Sequence, residues 1–204
     1  MHFKILECPE YSAIQQGLLD YIQKYTSLLV NNPRDSSYKG GHLKYANFVD
    51  IKHFINHNPI MLDWCKSLDM IPRDVYFTLC WDRTCSTSQV SSCPIHLDKP
   101  PVHWKLNFPI LNMETTSVRF FEPKDPTVDI QSLVTRMGNS DSKDQDYWLL
   151  QYEDFVEVAH HSFEKFEPII MDGLLPHDVG FYGAQQFPRI GTQIMFLKEP
   201  THLL

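Results

Sequence analysis

The chain has 204 residues, 43% hydrophobic, 21% charged and 13% aromatic, with eight glycines; this suits one globular domain with a sizeable core and excludes a disordered chain or a repeat array. A formal charge of −7 opposes sequence-independent phosphate binding, and no basic run offers a local groove, so nucleic acid is not the expected partner. Five scattered cysteines, Cys8, Cys65, Cys80, Cys85 and Cys93, form no disulfide framework and fit reduced, mostly buried thiols. A zinc reading of Cys80, Cys85, Cys93 and His96 lacks a CxxC pair. No leader-like segment and no apolar run of the ~18 residues a membrane helix needs is present, which sets a cytoplasmic expectation without membrane contact.

From Tyr11 the apolar positions Ile14, Leu18, Ile22, Tyr25 and Leu29 recur at threes and fours, the stripe of an amphipathic helix. Ser12 and Gln15 have the spacing of a capping box at its start. "NNPRDSSYKGGH" reads as a loop. "VDIKHFINH" and "NPIMLDWCKSLDM" read as two shorter helices, the second with Asn58 as N-cap and Pro59 in its first turn. At Asp74 the period falls to two. "DVYFTLCW" sets Val75, Phe77, Leu79 and Trp81 on one face, and after a Ser/Thr/Cys loop and "PIHLD" the segment "HWKLNFPIL" alternates through Trp104, Leu106, Phe108 and Ile110.

"SVRFFEP" is a further short strand, residues 124–147 are a polar insertion with room for one helical turn, and strand-like text returns at "FVEVAHHSF", "EPIIMDGLL", "HDVGFYG" and "RIGTQIMFL". Many short strands behind a helical block predict a mainly β single domain over residues 1–204. Its N-terminal helices, residues 1–73, would support a jelly-roll core over residues 74–204.

The chemistry lies in an ordered set: His96-x-Asp98, His177 after 79 residues, and Arg189 twelve later. Ten histidines and 25 acidic residues in 204 positions would produce about one His-x-acid pair by chance, so the pair alone carries little. On a strand, His96 and Asp98 share a face. Two imidazoles and a carboxylate can cap one face of Fe(II) and leave positions open for a bidentate 2-oxo acid and O₂. An arginine fork suits the distal carboxylate of such an acid, and Gly191 on the same strand face leaves room for its chain.

Other histidines fit this chemistry less well. His160 and His161 are adjacent and point to opposite faces of a strand. His42, His53 and His57 fall in helical or loop text and show no metal-binding partner, and His103 follows Lys99-Pro100-Pro101 in a loop. Trp104 and Trp148 read as core or rim aromatics, and Asp172 as a turn residue rather than an acceptor that orients His177.

The order "IHLD…WKLNFPILN…VRFFEP" followed by "FEPIIMDGLLPHDV…FPRIGTQIMFL" resembles the 2-oxoglutarate- and Fe(II)-dependent oxygenases, in particular a small branch frequent in phage and bacterial genomes. The resemblance runs over roughly residues 74–198 and implies a double-stranded β-helix, a form of jelly roll. It implies His96, Asp98 and His177 as iron ligands, Arg189 as the 2-oxoglutarate anchor, and Asn107 facing the barrel interior near that cosubstrate. The implied activity is oxidative decarboxylation of 2-oxoglutarate to succinate and CO₂, coupled to hydroxylation of a small molecule or protein side chain. Many relatives carry Ser or Thr where Gly191 stands, so one cosubstrate hydrogen bond is missing from the pattern. Two other readings stay open: a non-catalytic jelly-roll protein, and a cupin-like metalloenzyme that does not use 2-oxoglutarate. Neither the substrate nor the oligomeric state is legible in the residues.

Overall fold

The computed structural model describes residues 2–30, 46–80, 91–98, 103–133, 147–181, 186–198 and 200–203. In chain order its elements are β1 (Phe3–Ile5), α1 (Tyr11–Val30), β2 (Ala46–Val49), α2 (Ile51–His57), α3 (Pro59–Ser67), β3 (Pro72–Cys80), β4 (Ser91–Asp98), β5 (Trp104–Leu111), β6 (Thr116–Pro123), α4 (Ile130–Leu133), β7 (Tyr147–Leu149), β8 (Phe155–Ser162), β9 (Ile169–Asp172), β10 (His177–Phe181) and β11 (Arg189–Phe196). The strands form a six-stranded sheet, β1-β9-β5-β11-β3-β2, and a five-stranded sheet, β7-β4-β10-β6-β8. The pairings are antiparallel. The jelly roll expected from the sequence is borne out.

Period-two alternation divides each strand between two environments. On the larger sheet Val75 and Phe77, Leu106, Phe108 and Ile110, and Ile190, Ile194 and Phe196 share one buried cluster with Ile14, Leu18, Tyr21 and Ile22 of α1, Phe54 of α2 and Trp64 of α3. The helices therefore cover this sheet's outer face. The intervening residues, Lys105 and Asn107 on β5 and Arg189, Gly191 and Gln193 on β11, turn toward the smaller sheet. Part of the inter-sheet space is filled by Val118, Phe120, Phe163, Ile169 and Met171. The smaller sheet's outer face, with Ile95, Leu97 and Phe121, is covered by Leu150 and Phe155 and by Ile130 and Leu133 of the insertion.

Three local expectations change. Ser12 and Gln15 form no capping box: the helix already starts at Tyr11. The Gln15 amide instead donates to the Ile110 carbonyl at 2.6 Å, and the Tyr11 hydroxyl donates to that of Pro109 at 2.7 Å. Both bonds tie α1 to β5, so a tertiary partner outbids the local one. Asn58 does precede a first-turn proline, yet its side chain makes no cap; it donates backward to the Phe54 carbonyl at 3.0 Å and closes α2. The N-terminal segment also supplies two strands, β1 and β2, at opposite edges of the larger sheet. The expected loops at 31–42 and 81–90, with His42, Trp81 and Cys85, lie outside the described residues, as do positions 134–146 of the insertion.

Leu18 is fully buried between α1 and the sheet. Leu18→Ala should cost about 2–5 kcal/mol in urea unfolding; a loss well below about 1 kcal/mol would mean that α1 does not seal this face.

Candidate metal centre

β4 and β10 are adjacent and antiparallel, and His96 stands directly opposite His177. Opposed residues of an antiparallel pair share a face, and His96 and Asp98 share one by their spacing. All three side chains thus meet on the inner face of the smaller sheet. The two imidazole centroids are 4.2 Å apart. His96 Nε2 lies 3.9 Å from Asp98 Oδ1, and His177 Nε2 lies 3.9 Å from Asp98 Oδ2. One ligand atom from each residue falls within 4.8 Å of the others. Donors bound at about 2.0–2.2 Å from one ion can stand up to roughly 4.4 Å apart, so three such atoms within 4.8 Å could hold a divalent metal after small side-chain rotations.

The surroundings prepare the donors. The His177 ring is buried, and its Nδ1 donates to the Leu175 carbonyl at 2.7 Å, which leaves the Nε2 lone pair facing the cluster. Burial above all, then the nearby His96 and Lys105, hold this imidazole well below its usual range. The lowered pKa favours the neutral imidazole, the form in which a histidine can serve a metal. The Asp98 amide donates to the Gly173 carbonyl at 2.9 Å. A Cβ on Gly173 would come within 2.3 Å of Asp98 Oδ2, so only glycine lets the carboxylate lie here.

The facing sheet contributes the cations and an amide. Lys105 is only 3% exposed; its Nζ lies 2.5 Å from Asp98 Oδ2 and 3.3 Å from His177 Nε2. A positive group thus touches two of the three residues of the cluster. Arg189 is buried and donates from Nη1 to the Thr116 hydroxyl at 3.2 Å. Asn107 is 7% exposed, and its Nδ2 finds no hydrogen-bond acceptor. Opposite it across β5 and β11 stands Gln193, whose Oε1 has no donor. A Cβ on Gly191 would meet Met113 Cε at an ordinary 3.5 Å.

The sequence-derived set His96, Asp98 and His177 converges, with Asn107 and Arg189 on the opposing wall. Asp172 keeps its turn role: Oδ1 accepts from the Leu174 amide at 2.9 Å and lies 3.4 Å from His103 Nε2. His161 is buried while its neighbour His160 is exposed, as alternation requires. Trp104 belongs to the core under the helices; the side chains of Cys80, Cys93 and Trp148 lie outside the described residues. The thiols of Cys8 and Cys65 are pushed up to about 12, chiefly by burial, which suits inert core residues. Sequence reasoning missed Lys105 and Gly173. Lys105 carried a signal, since it alternates with the apolar face of β5 and so had to point inward with Asn107.

No protein-family model matches the chain, and no curated protein matches it in sequence. Among solved structures it is similar to EvdMO1, at a TM-score of 0.51 and 13% identity over 97% of this chain and 47% of that one. The chain thus spans about half the length of EvdMO1. The fold is shared. Weaker likenesses are to a Pseudomonas putida prolyl-4-hydroxylase, at 0.43 and 11% identity over 97% of this chain and 94% of that one, and to CytC3 with Fe(II) and alpha-ketoglutarate, at 0.41 and 12% identity over 95% and 72%.

Gly173→Ala should expel the Asp98 carboxylate from its place beside His177 and destabilise the protein by about 1–3 kcal/mol. Urea unfolding and a crystal structure of the variant check this; an unmoved Asp98 at unchanged stability would contradict the close approach.

Proposed function

We propose that this chain is an Fe(II)- and 2-oxoglutarate-dependent oxygenase of the hydroxylase type. The observation that carries the reading is the His96–His177 opposition with Asp98 beside both, in one buried cluster. His96, Asp98 and His177 are the proposed iron ligands. Fe(II) bound there would supply O₂ activation coupled to decarboxylation of 2-oxoglutarate, with succinate, CO₂ and a hydroxylated product.

The protein's own part is positioning. Arg189, fixed by Thr116, presents a permanently charged fork to the distal carboxylate of the cosubstrate. Asn107 offers a buried N–H without a partner, a ready donor to a cosubstrate oxygen. Val118, Phe120 and Met171 exclude water from one side of the inter-sheet space. We further read residues 1–204 as a single domain, residues 1–73 supporting the core. The prime substrate is a small molecule or a protein side chain, and the proposed setting is cytoplasmic. Among the described residues no helix is long and apolar enough to cross a membrane.

One observation favours a second reading, a non-catalytic jelly-roll protein. The Lys105–Asp98 ion pair compensates the carboxylate without any metal.

The test is anaerobic addition of Fe(II) and then 2-oxoglutarate, followed by visible absorption. A charge-transfer band should appear in the native protein and be absent in His177→Ala. Arg189→Ala should raise the 2-oxoglutarate concentration for half-saturation by about tenfold to a hundredfold, the worth of a charge-assisted pair. Bound iron without a band would favour the cupin-like enzyme, and no bound iron the non-catalytic protein.

A further inference from the structure

We infer that Lys105 is the resident cation of the metal-free centre: its ammonium stands in for the metal between Asp98 and His177 and must leave before a divalent ion binds. The inference rests on the reading of His96, Asp98 and His177 as a metal site. It assigns to Lys105 a role in metal affinity rather than a step in the reaction.

The position of the side chain carries the argument. Lys105 lies on the inner face of β5, and lysines this deeply buried are rare unless paired. Its Nζ reaches Asp98 Oδ2 at 2.5 Å and His177 Nε2 at 3.3 Å. These are the groups a metal would use, and they serve both cations in the same way. The carboxylate supplies negative charge, and the imidazole supplies the lone pair that its Nδ1 contact with Leu175 leaves on Nε2. Ammonium and metal therefore compete for the same electrons.

Charge balance points in the same direction. Asp98 and Lys105 form one ion pair of balanced charge, and the His177 ring, its Nδ1 spent on the Leu175 carbonyl, offers a lone pair and no charge from Nε2. A divalent ion added with Lys105 in place would put three positive charges against one carboxylate, all within a few ångströms and away from water. That repulsion is strong at low local dielectric. A lysine side chain has four methylene groups and can swing its ammonium out of the cluster. A rigid guanidinium fork would not yield as easily.

The opposite role is also specific and predicts the opposite sign. If Lys105 stayed in place and oriented Asp98 from behind, removing it would weaken metal binding, as loss of an orienting partner usually does.

The experiment is calorimetric titration of the metal-free full chain with Ni(II), a probe that needs neither O₂ nor 2-oxoglutarate. It compares the native protein with Lys105→Met and Lys105→Gln, each checked by circular dichroism for a native fold. Glutamine keeps a polar donor toward Asp98 and serves if methionine leaves the protein unfolded. Displacement predicts that the variants bind Ni(II) about tenfold to a hundredfold more tightly than the native protein. The rise in melting temperature on adding Ni(II) should also be larger in the variants. Equal or weaker Ni(II) binding by folded variants overturns the inference while leaving the metal site intact. Failure of all three proteins to bind Ni(II) overturns the metal-site reading itself.

Discussion

A carboxylate set between two sheets needs a positive partner, and the inner architecture of this protein follows from that need. Asp98 is 13% exposed at its side chain and has buried imidazoles on either side. Leaving such a charge uncompensated would cost several kcal/mol. The two sheets answer with opposite chemistry. The smaller sheet presents the Asp98 carboxylate and the Nε2 face of His177 as acceptors, with the His96 ring beside them. The larger sheet presents donors: Lys105, Asn107 and Arg189. The apolar fill of Val118, Phe120, Ile169 and Met171 occupies the rest, so the polar groups face one another and not hydrocarbon. A jelly roll with a purely apolar filling would be easier to stabilise, and the buried donors and acceptors concentrate the polarity of the interior in one place.

The position of His177 depends on a second buried carboxylate behind it. Asp178 follows His177 on β10 and so points to the opposite, outer face of the smaller sheet. It is fully buried. Arg119 on β6 donates to it through Nε at 2.8 Å and also through Nη2, and the Tyr152 hydroxyl donates at 2.5 Å. Arg119 and Asp178 are register partners, so the fork bonds β10 to β6 at the residue next to the proposed ligand. Slipping β10 by one residue would bury His177 outward and turn Asp178 into the interior. The outer ion pair and the inner cluster oppose that slip together, and the register that aligns His177 with His96 is specified from both faces.

The fold was legible where alternation or helical period ran long enough to identify a face. Leu106, Phe108 and Ile110, or Ile14, Leu18 and Ile22, each declare a buried side without help from the rest of the chain. β1, β2 and β7 span only three or four residues each, too few to show a period, and they exist because a neighbouring strand offers an edge. The grouping of His96, Asp98 and His177 was legible because it needs only strand geometry and order. Its supports were not. Gly173 matters through its distance to a side chain 75 positions away, and Gln15 leaves its local cap for the Ile110 carbonyl. Both are tertiary facts with no local signature. Lys105 is intermediate: alternation aimed it inward, but its partners belong to another sheet.

The Lys105–Asp98 pair also bears on how a metal centre of this kind can be assembled. A chain that buried Asp98, His96 and His177 without a cation would have to bind metal as it folded, because the unpaired carboxylate would oppose closure of the two sheets. With an internal ammonium the sheets can close first, and the histidine register is set before any ion arrives. Pre-forming the site would remove the folding cost from the binding step but would add the cost of displacing lysine, and so would lower metal affinity relative to an open site. Binding would then discriminate by charge: a monovalent ion would gain too little from one carboxylate and two imidazoles to replace an ammonium already paired there. A divalent ion gains more from the same groups. On this reading the lysine sets a threshold for which ions can enter, and the fold does not depend on any of them.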